Sequence, residues 1–66
     1  MGGMRYRCRL CGEELPSLSE WYRHLLSRHP EEEPGWARVM RMEGRRASRW
    51  RVYLDLKAEG KVEAVR

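Results

Sequence analysis

Four residues of this chain have the types and intervals of a metal-ion shell. Cys8 and Cys11 are separated by two residues, and His24 and His29 follow after a gap of twelve. The pattern C-x2-C-x12-H-x4-H falls within the spacing of a tetrahedral zinc site. Two cysteines on a tight turn can place both thiolates on one ion, and Gly12, directly after Cys11, supplies the backbone freedom such a turn needs. Two histidines about one helical turn apart lie on one face of a helix and complete the tetrahedron. Four ligands close the shell and leave no position for water, so the expected metal is structural rather than catalytic. The bland alternative is two buried free cysteines and two surface histidines.

The residues around the ligands supply the elements that must position them. From Arg5 to Leu10 the chain alternates, with Tyr6, Cys8 and Leu10 on one face and Arg5, Arg7 and Arg9 on the other, which predicts a strand. Cys11-Gly12 turns the chain, and Glu13-Glu14-Leu15 is a short return. Pro16 ends the hairpin. Ser17-Leu18-Ser19-Glu20 then matches the capping box S-x-x-E that opens a helix. Leu18, Trp21, Tyr22 and Leu25 fall at i, i+3, i+4 and i+7, an apolar stripe with His24 beside it. Arg28 suits the helix C-terminus, and Pro30 stops the helix at His29.

At these residues the chain resembles the C2H2 zinc-finger family, a ββα unit with an aromatic two residues before the first Cys and apolar residues between the Cys and His pairs. Tyr6 stands at the aromatic position; Leu15 stands where Phe is usual, and Trp21 where Leu is usual. The resemblance covers Tyr6 to His29, under half of the chain. It implies one structural Zn2+ on Cys8, Cys11, His24 and His29. In fingers that read DNA, residues −1, 3 and 6 of the helix touch successive bases. Those positions here are Ser17, Glu20 and Arg23, with Ser19 at position 2. Arg23 suits guanine and Glu20 a cytosine amine. Ser17 and Glu20 have a competing role as the capping box.

Beyond His29 the chain departs from tandem fingers. Glu31-Glu32-Glu33-Pro34-Gly35 replaces their usual linker, and no second Cys/His set follows, so the expectation is a lone finger. Residues 36–66 read as β structure. Trp36 to Met42 is a candidate strand, although Trp36, Val39 and Met40 also fit one turn of helix; Glu43-Gly44-Arg45-Arg46 is a turn. From Ser48 to Leu56, Trp50, Val52, Leu54 and Leu56 alternate with Arg49, Arg51, Tyr53 and Asp55. Lys57 to Gly60 turns again, and Lys61 to Val65 is a third strand. Such a sheet must pack on the finger helix or on a second copy, with Trp50 and Leu54 as the contact. The expected fold is small α+β and zinc-stabilised, a ββα finger followed by an antiparallel β-hairpin or three-stranded meander. Its parts are a flexible N-terminus (1–4), the finger (5–29), an acidic Pro/Gly hinge (30–35) and a basic β tail (36–66).

Composition narrows the function. A chain of 66 residues holds one thin core and needs a staple; zinc supplies roughly 10–16 kcal/mol in finger peptides. With both cysteines on the metal, no disulfide forms, which fits a reducing, intracellular compartment, cytoplasmic or nucleoid-associated. No apolar run approaches a membrane span or signal segment. The net charge of +4 is uneven, with basic segments on both sides of Glu31, Glu32 and Glu33. Asn, Gln, Thr, Ile and Phe are absent. Loss of amides with many charges is a thermophile trait, consistent with an archaeal or archaeal-virus source, and an Arg-rich composition equally fits a GC-rich genome.

These readings converge on a small DNA-binding protein, a transcriptional regulator. Arg5, Arg7 and Arg9 on the first strand, and Arg45, Arg46, Arg49 and Arg51 in the tail, are the phosphate-contact candidates. The same arginines would also serve simply to solubilise a sheet. Tyr6, Trp21 and Trp50 read as core, while Tyr22, Trp36 and Tyr53 are candidates for stacking on unpaired bases. The alternative is a protein-interaction module, an antitoxin or subunit-type adaptor, or a homodimer through the β tail. RNA is a third option. No enzyme is expected: both histidines are ligands, and Glu13 with Glu14 is a solvated pair rather than a positioned acid and base.

Overall fold

A computed structural model describes residues 4–66. Strand β1 (Arg5–Cys8) and strand β2 (Glu14–Leu15) precede helix α1 (Leu18–Arg28). A 3-10 turn (Pro30–Glu32) leads to helix α2 (Gly35–Met42), helix α3 (Arg49–Ala58) and strand β3 (Val62–Val65). The expected flexible start falls, for residues 1–3, outside the described residues; Met4 is exposed.

The first three elements form for the local reasons given by their sequence. In β1, Cys8 is buried and Tyr6 half-buried, while Arg5 is exposed. Ser17 caps α1, its Oγ accepting from the backbone N–H of Glu20 at 3.1 Å. Among the described residues only the Ser17 half of the capping box forms, and the Glu20 carboxylate lies 3.9 Å from the Arg23 guanidinium. Trp21, His24 and Leu25 face inward, and the backbone N–H of His29 bonds to the Leu25 carbonyl to close the helix.

The chain after residue 34 corrects the β-tail expectation. Residues 36–42 and 49–58 are helical, and only the last of the three expected strands is a strand. The chain turns at Glu43-Gly44 and Glu59-Gly60, within the expected turns, but Lys57 and Ala58 still belong to α3 and both turns end helices rather than joining strands. Gly44 (φ +77°) lets Arg45 N–H reach the Met40 carbonyl at 2.8 Å, while its own N–H reaches Arg41 at 3.1 Å. Gly60 (φ +76°) does the same for α3, with Lys61 N–H on Leu56 at 2.9 Å and its own N–H on Lys57 at 3.0 Å. Both are Schellman closures, which require a left-handed residue just past the helix. Ser48 opens α3 by accepting from Arg51 N–H.

Helical geometry changes which side chains of α3 are inside. Val52, Tyr53 and Leu56 are buried, at i, i+1 and i+4. Trp50 (52 % exposed) and Leu54 (43 %), expected to make the packing contact, face solvent. Tyr53, expected on the polar face, is the aromatic hub. Its ring meets Tyr6 of β1 edge-on at 5.3 Å and Trp21 of α1 edge-on at 6.0 Å.

Strand β3 is neither in a separate hairpin nor in a meander. It joins the first hairpin, giving an antiparallel sheet of order β2-β1-β3. Tyr6 pairs with Leu15 on one side and Ala64 on the other; Cys8 pairs with Val62. The core therefore draws on both halves of the chain: Leu15, Trp21 and Leu25 pack with Ala37, Ala47, Val52, Tyr53, Leu56 and Val62.

The segment read as a hinge is tied down. Glu33 is buried and held in a fork by Arg41, with Nε at 3.2 Å and a terminal nitrogen at 2.8 Å. The Tyr22 hydroxyl donates to the same carboxylate at 3.4 Å. Lys61 bonds Glu32, adding a second tie from beside β3. No helix among the described residues is long and apolar enough to cross a membrane.

Candidate metal centre and basic surface

The hairpin between β1 and β2 sets the two cysteines. Cys8 N–H donates to the Glu13 carbonyl at 2.8 Å, and Gly12 N–H to the Cys8 carbonyl at 2.6 Å, wrapping the chain into a tight knuckle. His24 enters from the inner face of α1, and His29 from its C-terminal cap. One potential ligand atom from each of Cys8, Cys11, His24 and His29 lies within 4.8 Å of all the others. Cys11 Sγ is 3.4 Å from His24 Nε2. The His24 and His29 rings stand 5.2 Å apart, inclined at 65°. The four residues are thus close enough to hold one metal ion.

The atoms themselves fit that role. His29 Nε2 is buried and has no hydrogen-bond partner among the described residues, an arrangement that is costly unless its lone pair has a use. A carboxylate oxygen of Glu13 lies 3.9 Å from His24 Nδ1. That placement favours the proton on Nδ1 and leaves Nε2, the atom facing Cys11, as a lone pair. Burial holds the His24 imidazole below its usual pKa, against the opposing pull of Glu13, so the neutral ligand form is favoured. Burial also pushes the Cys8 thiol up, opposed by the backbone amides of Leu10 and Cys11. A bound cation would offset that cost by stabilising the thiolate.

The nucleic-acid candidates divide into three places. Ser17, Ser19, Glu20 and Arg23 all lie on the exposed side of α1, with the Arg23 side chain 81 % exposed. Ser17 is engaged as the helix cap. Arg5 and Arg7 lie on β1. Arg7 is bracketed by Glu14 at 3.0 Å and Glu63 at 3.0 Å, its partners in register on β2 and β3, and these bonds hold its pKa above the usual value. Arg5 lies 4.0 Å from Glu14. The sheet's polar face is largely self-neutralised.

Arg45, Arg46 and Arg49 come together around one concavity, beside Tyr22 and Arg41. Arg51 stands apart from that group, its guanidinium 6.0 Å from the centre of the Trp36 ring. Arg46 and Arg49 have no carboxylate in ion-pair range among the described residues, while Arg45 lies 3.8 Å from Glu43. Sequence reasoning missed Glu13 beside His24, and the Tyr22–Glu33–Arg41 cluster. The cluster joins α1 to α2 through tertiary packing, so no local pattern announces it.

No protein-family model matches this chain, and neither the curated proteins nor the solved structures provide a match.

Proposed function

We propose that the chain is a zinc-stabilised DNA-binding protein, a small transcriptional regulator built on a single C2H2-type finger. Two thiolates and two imidazoles are a borderline-soft, four-ligand set that suits tetrahedral Zn2+. The carrying observation is that α1 directs His24, Trp21 and Leu25 inward and leaves Ser19, Glu20 and Arg23 exposed. An outward helix face of this kind is what the major groove admits. Arg45, Arg46 and Arg49 would add the phosphate contacts that a lone finger needs.

The test is a titration of zinc-loaded protein into mixed-sequence duplex at two salt concentrations. Binding should weaken linearly on a log–log plot, with a slope that counts the phosphates. Replacing Arg45, Arg46, Arg49 and Arg51 by Ala should flatten that slope. No binding at low salt would sink the reading.

A second reading is a protein-interaction module, an adaptor or a homodimer. It is favoured by Val39 (53 % exposed) and Met42 (76 %) on α2, apolar side chains that the fold leaves in solvent. Concentration-dependent sedimentation together with no DNA affinity would select it.

A further inference from the structure

Two of the three tryptophans remain in solvent, and both adjoin arginine. Trp36 (38 % exposed) lines a concavity of about 410 Å3 with Met40, Arg46, Ser48 and Arg51. Trp50 (52 % exposed) lines a neighbouring one with Leu18, Arg46, Ala47, Ser48 and Arg49. Arg46 belongs to both, and also to the concavity it shares with Arg45 and Arg49. Among the described residues, Arg46 thus lines the concavities of both indoles and of the basic group.

Both rings are pre-positioned. Trp36 Nε1 donates to Asp55 at 2.6 Å, which fixes the indole across the gap between α2 and α3. Trp50 lies stacked on buried Tyr53, with centroids 5.1 Å apart and planes inclined by 27°. A ring already held in place loses little freedom when a ligand covers it. Flat apolar faces beside guanidinium groups suit unpaired nucleobases, whose π-faces stack on aromatics while the strand's phosphates take the positive charge. Paired bases inside a duplex present no such face.

We propose that Trp36 and Trp50 are stacking platforms for two bases of single-stranded DNA, with Arg46 on the backbone between them. This site goes beyond groove contact by α1 and does not depend on it. The occupant follows from charge: Arg46, Arg49 and Arg51 line the concavities that hold the two indoles, which suits a polyanion with exposed rings.

The experiment compares two single strands of equal length, an oligo-dA and one of abasic sugar-phosphate, against the zinc-loaded full chain. The oligo-dA should bind at least about tenfold tighter, since each stacked base contributes a factor of that order. Trp36→Leu and Trp50→Leu should each remove most of that preference while leaving abasic-strand binding unchanged. Quenching of the indole fluorescence by the oligo-dA and not by the abasic strand is the decisive readout if the leucine variants lose their helical circular dichroism; no difference in quenching would also overturn the proposal. Arg46→Ala should weaken both strands alike. Equal affinity of the wild type for the two strands, or a preference that survives both leucine substitutions, would overturn the proposal. Failure of duplex binding alongside an intact oligo-dA preference would remove the groove-reading regulator and support this site.

Discussion

Cys8 and Val62 are paired across neighbouring antiparallel strands, and both are almost fully buried, at 1 % and 2 % exposure. A metal-ligand candidate is therefore packed directly against the strand that follows α3. A metal held by the Cys8, Cys11, His24 and His29 cluster would thus act beyond His29. Chelation should release β1 and α1 and also remove β3's pairing partner. We expect chelator treatment to collapse amide-exchange protection at Val62 to Val65 together with that of α1. Protection that persists in β3 and α3 after metal removal would show that the second half folds independently.

Leu54 and Leu56 give the sharpest test of the helix in the second half. In a strand they would share a face; in α3 only Leu56 is buried, at 2 % against 43 % for Leu54. Leu56→Ala should destabilise the folded chain by about 2–5 kcal/mol. Leu54→Ala should fall within about 0.5 kcal/mol of the wild type. Denaturant titration of the two variants under the same metal concentration decides the matter, and equal losses would contradict the helix.

Gly60 tests the helix end without disturbing a contact. A Cβ there would meet nothing within 4 Å, so the cost of Gly60→Ala is conformational only. At φ +76° that cost should be about 1–2 kcal/mol, visible as a lowered denaturation midpoint. An unchanged midpoint would mean that the residue is free to leave the left-handed region.

Tyr22 carries an alkaline signature. Burial raises its phenol pKa, and the neighbouring Glu33 carboxylate raises it further, with Arg41 and Arg49 opposing. The folded chain thus keeps the proton above the pH at which the unfolded chain loses it. The stability from neutral Tyr22 is complete below the ordinary tyrosine pKa of about 10, and is lost as pH rises from there through the folded value. Ultraviolet titration should show a late Tyr22 phenol that is lost in Tyr22→Phe and shifted downward in Glu33→Gln.

The Cys8, Cys11, His24 and His29 cluster and the α1 cap were legible because each rests on local spacing: Cys8 to Cys11, His24 to His29, Ser17 to Glu20. Residues 49–58 satisfied two periods at once. Trp50, Val52, Leu54 and Leu56 alternate as in a strand, while Val52, Tyr53 and Leu56 share a helical face. The tie is broken by signals at the ends, with Ser48 as the N-cap and Gly60 just past the last turn, and by interior residues such as Arg, Leu, Lys and Ala that favour helix. Gly44 stands in the same relation to α2. The Trp36–Asp55 bond and the Glu33–Arg41 fork join residues of different elements, and their pairing follows only once α2 and α3 are in place.

The sheet order also sets the kinetics of assembly. The Arg7–Glu63 bridge spans 56 positions, so the central strand finds its second partner only after a long loop closes. Contacts of that separation slow folding relative to a helical chain of equal length. An ion that first cinches Cys8 to His29 would shorten the remaining search. Refolding in the presence of metal should then show a fast local phase, followed by a slower one that ends when β3 docks.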